Sequence, residues 1–298
     1  MRLAFEEIRG NKIRSFILIF LFILIIGMLG AVIGLIVNNL YFGLIIAMVF
    51  SIFYSLIGYY SGDSMILTMS GARPVTKQEF PYLYHTLEGL AIAAGIPTPK
   101  AYVIEDSAIN AFATGRDPKH ASITVTTGLL KVMNRQELEG VIGHEMSHIS
   151  NLDIRFMMLT TVLVGIVVLL SDFILRSFLW GGKGRNRNES KAGAALILVG
   201  LALAILTPII GEIMKLAISR KREYMADANA AVLTRYPPGL ASALRKIAKD
   251  PDPLVDMANK STAHLFISTP FRKERSFVTN LFSTHPPLPE RIKRLEEM

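Results

Sequence analysis

The residues best suited to chemistry in this sequence are His144, Glu145 and His148, in the run His-Glu-Met-Ser-His. Residues four apart lie on one face of an α-helix, so the two imidazoles can bind one metal ion between them. Glu145 lies at the rim of that face, where its carboxylate can reach a water on the ion without binding the ion. The spacing predicts a zinc-peptidase site, in which Glu145 takes a proton from the zinc-bound water.

The residues around this run favour a helix. Asn134 and Glu137 have the spacing of a capping box, with Asn134 as the N-cap and Glu137 reaching back to it. Leu138, Val141 and Ile149 add an apolar stripe. The alternative interpretation is a surface helix that carries two solvated histidines.

A catalytic zinc ion needs a third protein ligand, and the chain has no cysteine, so this ligand must be a histidine or a carboxylate. Glu223 is the best candidate. Glu223 and Asp227 lie four apart, so a helix would present both on one face. Asp227 would then accept the free ring N–H of a zinc-bound histidine and fix its tautomer. Spacing alone does not exclude the alternative that Glu223 and Asp227 simply belong to a charged helix face that follows a membrane span.

The remaining histidines offer weaker patterns. His285 stands before two prolines in a rigid loop, where it could donate to the oxyanion of a tetrahedral intermediate or be an ordinary surface residue. His85, His120 and His264 have no partner at a metal-binding spacing, and we expect structural roles for them.

Composition indicates a membrane protein. Hydrophobic residues make up 51% of the 298 residues, and the mean hydropathy is +0.40, which is high for a soluble domain. The net charge of +8 comes from basic residues that flank apolar runs and form no patch interleaved with aromatic residues. This pattern favours contact with a lipid bilayer over nucleic acid, and we expect no nucleic-acid partner.

Four apolar runs are long enough to cross a hydrocarbon core of roughly 30 Å: Phe16–Val37, Leu40–Tyr60, Phe156–Leu175 and Ala192–Gly211. Between the second and third, Pro81–Gly95 has the pattern of an amphipathic helix. Lys100–Glu105 and Ala121–Thr127 are strand-like, the latter rich in β-branched residues, and predict a small sheet. We therefore predict a mainly α integral membrane protein, with four transmembrane helices and a zincin-like α+β catalytic domain. Its regions are an N-terminal hairpin at 1–62, catalytic parts at 63–154 and 215–298, and a second hairpin at 155–214.

Charge patterning gives a predicted orientation. Four basic residues precede the first run and another group follows the fourth, which puts both termini and the zinc helix in the cytoplasm. The loop Arg176–Lys191 carries five basic residues and disagrees with this arrangement. A second hypothesis is therefore that the third and fourth runs are tilted or enter the membrane incompletely.

Taken together, the motifs resemble those of the HtpX-like membrane zinc metalloproteases, relatives of the CAAX prenyl proteases. The resemblance runs nearly end to end and includes both apolar pairs. Its most specific segments are Asn110–Gly115, His144–His148, Arg222–Asp227, and Thr284–Pro287 with Arg291.

The resemblance implies a gluzincin, with one Zn²⁺ held by His144, His148 and Glu223. Glu145 would be the general base, and Asp227 would accept a hydrogen bond from a zinc-bound histidine. The resemblance also implies that the edge strand Asn110-Ala111-Phe112-Ala113-Thr114 binds the substrate backbone, and that His285 assists the transition state. The family's role is quality control of membrane proteins at the bacterial inner membrane, with a site facing the cytoplasm. Polypeptides, including membrane proteins, are the expected substrates, and self-cleavage is a further expectation.

Other functions compete with this interpretation. One is a site-specific endopeptidase that acts on lipidated or signal-like peptides. A second is a non-catalytic membrane scaffold in which zinc is only structural, which predicts a closed four-ligand site. A transporter is disfavoured, because the apolar runs carry charge only near their ends, at Asp172 and Glu212.

Overall fold

The computed structural model describes residues 2–181, 219–250, 265–267 and 286–298. It begins with two long helices, α1 (Arg2–Ile36) and α2 (Leu40–Met69). In the described part of the chain, two helical stretches are long and apolar enough to cross a membrane, Glu6–Leu35 and Leu40–Met69. The predicted N-terminal hairpin is thus present, and α1 includes the charged tail before it.

A small mixed sheet follows the hairpin. Its strands are β1 (Arg73–Pro74), β2 (Lys100–Ile104), β3 (Ala111–Gly115) and β4 (Ala121–Thr126), in the order β1-β2-β4-β3. β4 runs parallel to β2 and antiparallel to β3, so β3 is an edge strand. Between β1 and β2 lies α3 (Pro81–Ala94), which starts at a proline and ends at Gly95 in the left-handed region, with φ of 67°.

The central helix of the catalytic region is α5 (Arg135–Ser150), which follows the short α4 (Thr127–Val132). Its capping box forms as predicted, with Asn134 and Glu137 exchanging hydrogen bonds. α6 (Asp153–Gly181) comes next, after a turn in which Leu152 has a φ of 60°. α5 and the start of α6 meet at 80°, and they form a third candidate span only if the pair is counted as one broken helix.

Three helices of the C-terminal region have described positions: α7 (Arg220–Thr234), α8 (Pro237–Ala248) and α9 (Leu288–Glu296). They pack with α3, α5 and one face of the sheet around one apolar core. The other core joins α1, α2 and α6 to the opposite face of the sheet. β3 contributes to both, since Ala111 and Ala113 face the first core and Phe112 faces the second.

Part of the predicted membrane topology lies outside the described residues. The third apolar run falls within α6, whereas the fourth, Ala192–Gly211, is outside them. The four-span arrangement and the division at residues 62, 154 and 214 therefore stay predictions.

Candidate metal centre

α5 turns His144 and His148 toward a common point. Their Nε2 atoms lie 3.2 Å apart. On the far side of each ring, Nδ1 faces a carboxylate: Asp227 Oδ1 is 2.9 Å from His144, and Asp153 Oδ2 is 3.0 Å from His148. Each carboxylate accepts an N–H from Nδ1 of its imidazole, so when the rings are neutral both Nε2 atoms present lone pairs to the space between them.

α7 brings a third acceptor to this space. The Glu223 carboxylate oxygens lie 3.7 Å from Nε2 of His144 and 3.6 Å from Nε2 of His148. One ligand atom from each of the three residues lies within 4.8 Å of the others, and all three residues are buried. Ligands bound at roughly 2.0–2.2 Å around a tetrahedral zinc ion are about 3.4 Å apart, so the donor set and spacing fit zinc.

The surroundings of these ligand atoms carry more negative than positive charge. The buried ionisable side chains described there, besides the histidines, are four carboxylates and two guanidinium groups: Glu145, Asp153, Glu223, Asp227, Arg222 and Arg291. When all are ionised, two negative charges remain, which a divalent cation would balance. Burial by itself would lower the pKa of His148, but the Asp153 hydrogen bond and the Glu223 charge raise it to about 9. The cluster thus favours a cation at its centre.

Glu145 lies next to the first histidine and is almost fully buried. Burial raises the pKa of Glu145 to about 7, and the charge of Glu223 acts in the same direction. The backbone N–H of Ala113 on β3 donates to this carboxylate. A carboxyl group with a pKa near neutrality can both accept and release a proton, as general acid–base chemistry requires.

Sequence reasoning gave no role to two residues that hydrogen-bond to a candidate ligand or to the partner of one, Asp153 and Arg291. Asp153 lies five residues beyond His148, at the start of α6, and the turn at Leu152 brings it back to that ring. Arg291, on α9, donates to both oxygens of Asp227 at 2.8 and 2.7 Å and is fully buried. Asp153 follows the histidine motif closely, so a search for carboxylates after it could have found this residue. Arg291 gave only a motif match.

The edge strand β3 divides its backbone groups between two directions. The backbone carbonyl of Asn110 accepts from the N–H of Thr126, the last residue of β4, at 3.0 Å. Because the pairing alternates along an antiparallel ladder, Asn110 and Phe112 face β4, whereas Ala111 and Ala113 face the outer edge. The carbonyl of Ala111 already accepts from Ile267 N–H at 2.9 Å. The outer edge near Ala113 is thus the part that adjoins Glu145.

The predicted residues therefore differ in what the structure describes. His144, His148 and Glu223 come together around one point, with Glu145 and Asp227 beside them. Of the predicted segment, Ala111, Phe112 and Ala113 lie in the edge strand β3 and Asn110 directly precedes it; substrate binding by this segment stays a prediction. His285 lies outside the described residues, so its predicted role stays a prediction.

Two helices apolar and long enough to cross a membrane, and a buried group of side chains that could hold a metal ion, fit one class of protein, the membrane-anchored metalloenzymes. The model of peptidase family M48 matches residues 77–298. The chain belongs to this family, and it is a membrane metalloprotease.

Several curated relatives are similar along almost their whole length, and each is named protease HtpX homolog. The relative from Dictyoglomus thermophilum is 47% identical, over 99% of this chain and 94% of its own. Those from Caldanaerobacter subterraneus subsp. tengcongensis and Listeria monocytogenes serotype 4a are 46% and 42% identical, with coverage of 98% or more of each chain. Among solved structures, S. mikatae Ste24p matches with a TM-score of 0.45 and 23% identity, over 82% of this chain and 58% of that one.

Proposed function

We propose that this chain is a zinc-dependent endopeptidase of the gluzincin type, which hydrolyses peptide bonds in misfolded or damaged membrane proteins. The observation that carries the proposal is the convergence of His144, His148 and Glu223 within 4.8 Å, all of them buried. The excess of buried carboxylates around them supports a divalent cation rather than a neutral hydrogen-bond network.

In this proposal the three residues hold the ion, and Asp227 and Asp153 keep the two imidazoles in the tautomer that leaves Nε2 free to bind it. When bound, zinc supplies Lewis-acid polarisation of the scissile carbonyl and a water of lowered pKa. Glu145 moves the proton: its carboxylate takes it from the attacking water and then gives it to the nitrogen of the departing amine. Burial, which raises the pKa of Glu145 to about 7, suits it to both steps.

Substrate would bind as an extended strand along the outer edge of β3. The register supports a narrower contact than the whole predicted segment, since only Ala111 and Ala113 direct backbone groups outward there. In this proposal the carbonyl of Ala113 is the main contact. Ile267 already donates to the carbonyl of Ala111, the Ala111 N–H donates to Asn110 Oδ1, and the Ala113 N–H donates to Glu145. Hydrogen bonds to the substrate backbone depend little on the substrate's side chains, which suits an enzyme whose substrates include many unfolded sequences.

The two N-terminal apolar helices support a location in the bacterial inner membrane. Basic residues at the start of α1 and on α7 support a site that faces the cytoplasm, in line with the excess of Lys and Arg on cytoplasmic flanks. Self-cleavage belongs to the same proposal, since the chain itself is an available polypeptide in a purified sample.

The test compares purified wild type with Glu145→Gln for zinc content and for hydrolysis of casein. We expect Glu145→Gln to retain one zinc ion per chain and to lose activity by at least about 100-fold, because the proton acceptor is gone while the ligands remain. Glu139→Gln, on the same helix and ion-paired with Arg135 at 2.8 Å, is the matched control and should keep both properties.

Two results would contradict the proposal. Wild-type protein that binds no zinc would remove the metal centre. Undiminished casein hydrolysis by Glu145→Gln would exclude this carboxylate as the base, even if zinc were bound.

A further inference from the structure

The metal centre makes a contact with the first membrane helix. Asn11, on α1, is fully buried. Its side-chain amide N–H donates to Asp153 Oδ1 at 2.6 Å and to the backbone carbonyl of Asn151 at 2.9 Å. Its amide oxygen accepts from Arg14 at 2.7 Å and from Arg222 at 3.3 Å. A residue 142 positions from Asp153 in the sequence thus contacts the carboxylate behind a candidate metal ligand.

Both oxygens of Asp153 are used. Oδ1 accepts from Asn11 and lies 3.7 Å from the Arg222 guanidinium, whereas Oδ2 lies 3.0 Å from Nδ1 of His148. A carboxylate held at one oxygen cannot rotate without losing a charge-assisted hydrogen bond in a buried setting, so Asn11 fixes the direction of the other oxygen.

The amide is the side chain that this position requires. It donates to a carboxylate and accepts from guanidinium groups at the same time, which neither an acid nor an aliphatic residue can do. An alanine would leave Asp153 Oδ1 and the Asn151 carbonyl short of a donor in a buried site. A carboxylate would place a second negative charge beside Asp153.

We propose that Asn11 is a positioning residue of the metal centre: it orients Asp153, and through Asp153 the ligand His148, so that the N-terminal membrane helix completes the site. This inference rests on the proposed zinc site. Partners behind a metal-bound histidine contribute roughly 10- to 100-fold to metal affinity, and we expect that range for Asn11.

The experiment measures zinc affinity of the full-length protein in detergent, by competition with a chromogenic chelator. All variants carry Glu145→Gln, which prevents loss of sample to hydrolysis. We expect Asn11→Ala to weaken zinc binding by about 10- to 100-fold and to shrink the rise in melting temperature that zinc produces. Ser15→Ala is the matched control: Ser15 is buried on the same helix, and its hydroxyl donates to the backbone carbonyl of Asn11 at 2.8 Å. It should change affinity by less than about twofold.

A double-mutant cycle separates positioning from a general structural effect. With Asp153→Ala already present, Asn11→Ala should have no further effect on zinc affinity, because the carboxylate that it orients is gone. An equal loss in both backgrounds would overturn the inference, and so would unchanged affinity in Asn11→Ala. If Asn11→Ala is too unstable to purify, Asn11→Ser provides the same comparison. A parent protein without zinc would instead defeat the proposed function, so the two failures are distinguishable.

Discussion

At the scale of single residues, Arg291 is a fully buried cation that faces two carboxylates. It makes two hydrogen bonds to Asp227, and its Nη1 lies 3.6 Å from Glu223. A buried guanidinium is tolerated only when it is paired and hydrogen-bonded. Arg291 therefore holds Asp227 in its charged form. Burial by itself would raise the pKa of Asp227, but Arg291 and His144 keep it at about 2.

Replacing this arginine should destabilise the fold. Arg291→Met keeps much of the apolar stem but leaves Asp227 as an unpaired buried charge, so we expect a loss of about 3–5 kcal/mol. The measurement is denaturant unfolding of the metal-free protein. Arg294→Met is the control, since Arg294 is half exposed on the same helix and pairs with Glu290 at the surface. Its effect should stay below about 1 kcal/mol. Equal losses in the two variants would contradict the assignment.

Residue identities were predictable where spacing along one helix decides them. The pairs His144 and His148, and Glu223 and Asp227, are each four apart, and each pair shares a helix as expected. The partner of His148 depends on an unusual backbone turn between two helices. The role of Arg291 depends on packing between segments 64 positions apart. Neither property can be read from local periodicity.

At the scale of elements, α5 is held in place by a close approach to α8. A Cβ added at Gly140 would lie 2.6 Å from the backbone nitrogen of Leu240 and 2.8 Å from its Cα. Only the absence of a side chain allows the two helices to approach so closely. Gly140 lies four residues before His144, so this contact is on the same face of α5 as the two histidines, one turn earlier.

Two glycine-to-alanine substitutions should differ in sign. Gly140→Ala forces α8 away from α5, and we expect a loss of about 1–3 kcal/mol. Gly89→Ala, on α3, adds a Cβ with nothing within 4 Å and should stabilise the protein by about 0.4–1 kcal/mol, because it reduces the entropy of the unfolded chain. Thermal unfolding of both variants is the measurement. A stabilised Gly140→Ala would show that the helices are not in close contact.

The start of α5 should make stability depend on pH through Glu137. Burial by itself would raise the pKa of Glu137, but hydrogen bonds from Lys246, the Asn134 N–H and Ser242 lower it overall. A lowered folded-state pKa contributes stability above the unfolded value of about 4.3, and this contribution is lost as pH falls through the folded value. Wild type should therefore exceed Glu137→Gln in melting temperature at pH 7.

The difference between these two proteins should begin to shrink as the pH falls below about 4.3, and it should be smallest below the folded-state pKa of Glu137, where both proteins carry a neutral side chain. Unfolding is followed in the presence of a chelator, so that the metal centre does not contribute. Glu139→Gln, which removes only a surface pair with Arg135, is the control and should differ little from wild type across the range. A constant gap for Glu137→Gln would contradict the ionic origin.

The elements themselves were predicted well where a local signal exists. The capping box at Asn134 and the β-branched segment Ala121–Thr127 both gave the correct element, with β4 ending one residue earlier, at Thr126. The helix ends were less accurate: α2 continues to Met69, beyond the expected end at Tyr60. It packs there against α6, where Gly62 lies close to Met158, and this tertiary contact has no counterpart in local sequence.

At the scale of the whole molecule, the membrane hairpin and the catalytic region are packed as one structure. α1 and α2 both pack against α6 in the same apolar core, which also includes Phe112 of β3. The second core connects the sheet to α5 and the C-terminal helices. The hairpin is thus part of the scaffold of the site as well as an anchor, and its removal should disturb the metal centre.

The orientation of the whole chain gives the last prediction. Basic residues before the first apolar run predict a cytoplasmic N-terminus, and four spans would then put the 176–191 loop outside. Five basic residues in that loop oppose this placement. The chain has no cysteine, so a single introduced thiol is the only one that can react. We expect Asn186→Cys to react with a membrane-impermeant maleimide added to cells whose outer envelope has been permeabilised and whose inner membrane is intact.

His85→Cys is the matched control, because His85 is exposed on α3 in the catalytic region. It should react only after the inner membrane is opened, since the proposed site faces the cytoplasm. If Asn186→Cys also reacts only after opening, the third and fourth runs do not both span the bilayer. The basic residues of that loop would then lie against anionic cytoplasmic lipid, where each contributes about 1 kcal/mol of attraction. The proposed metal centre would still face the cytoplasm, because the two spans α1 and α2 together return the chain to the side of its N-terminus.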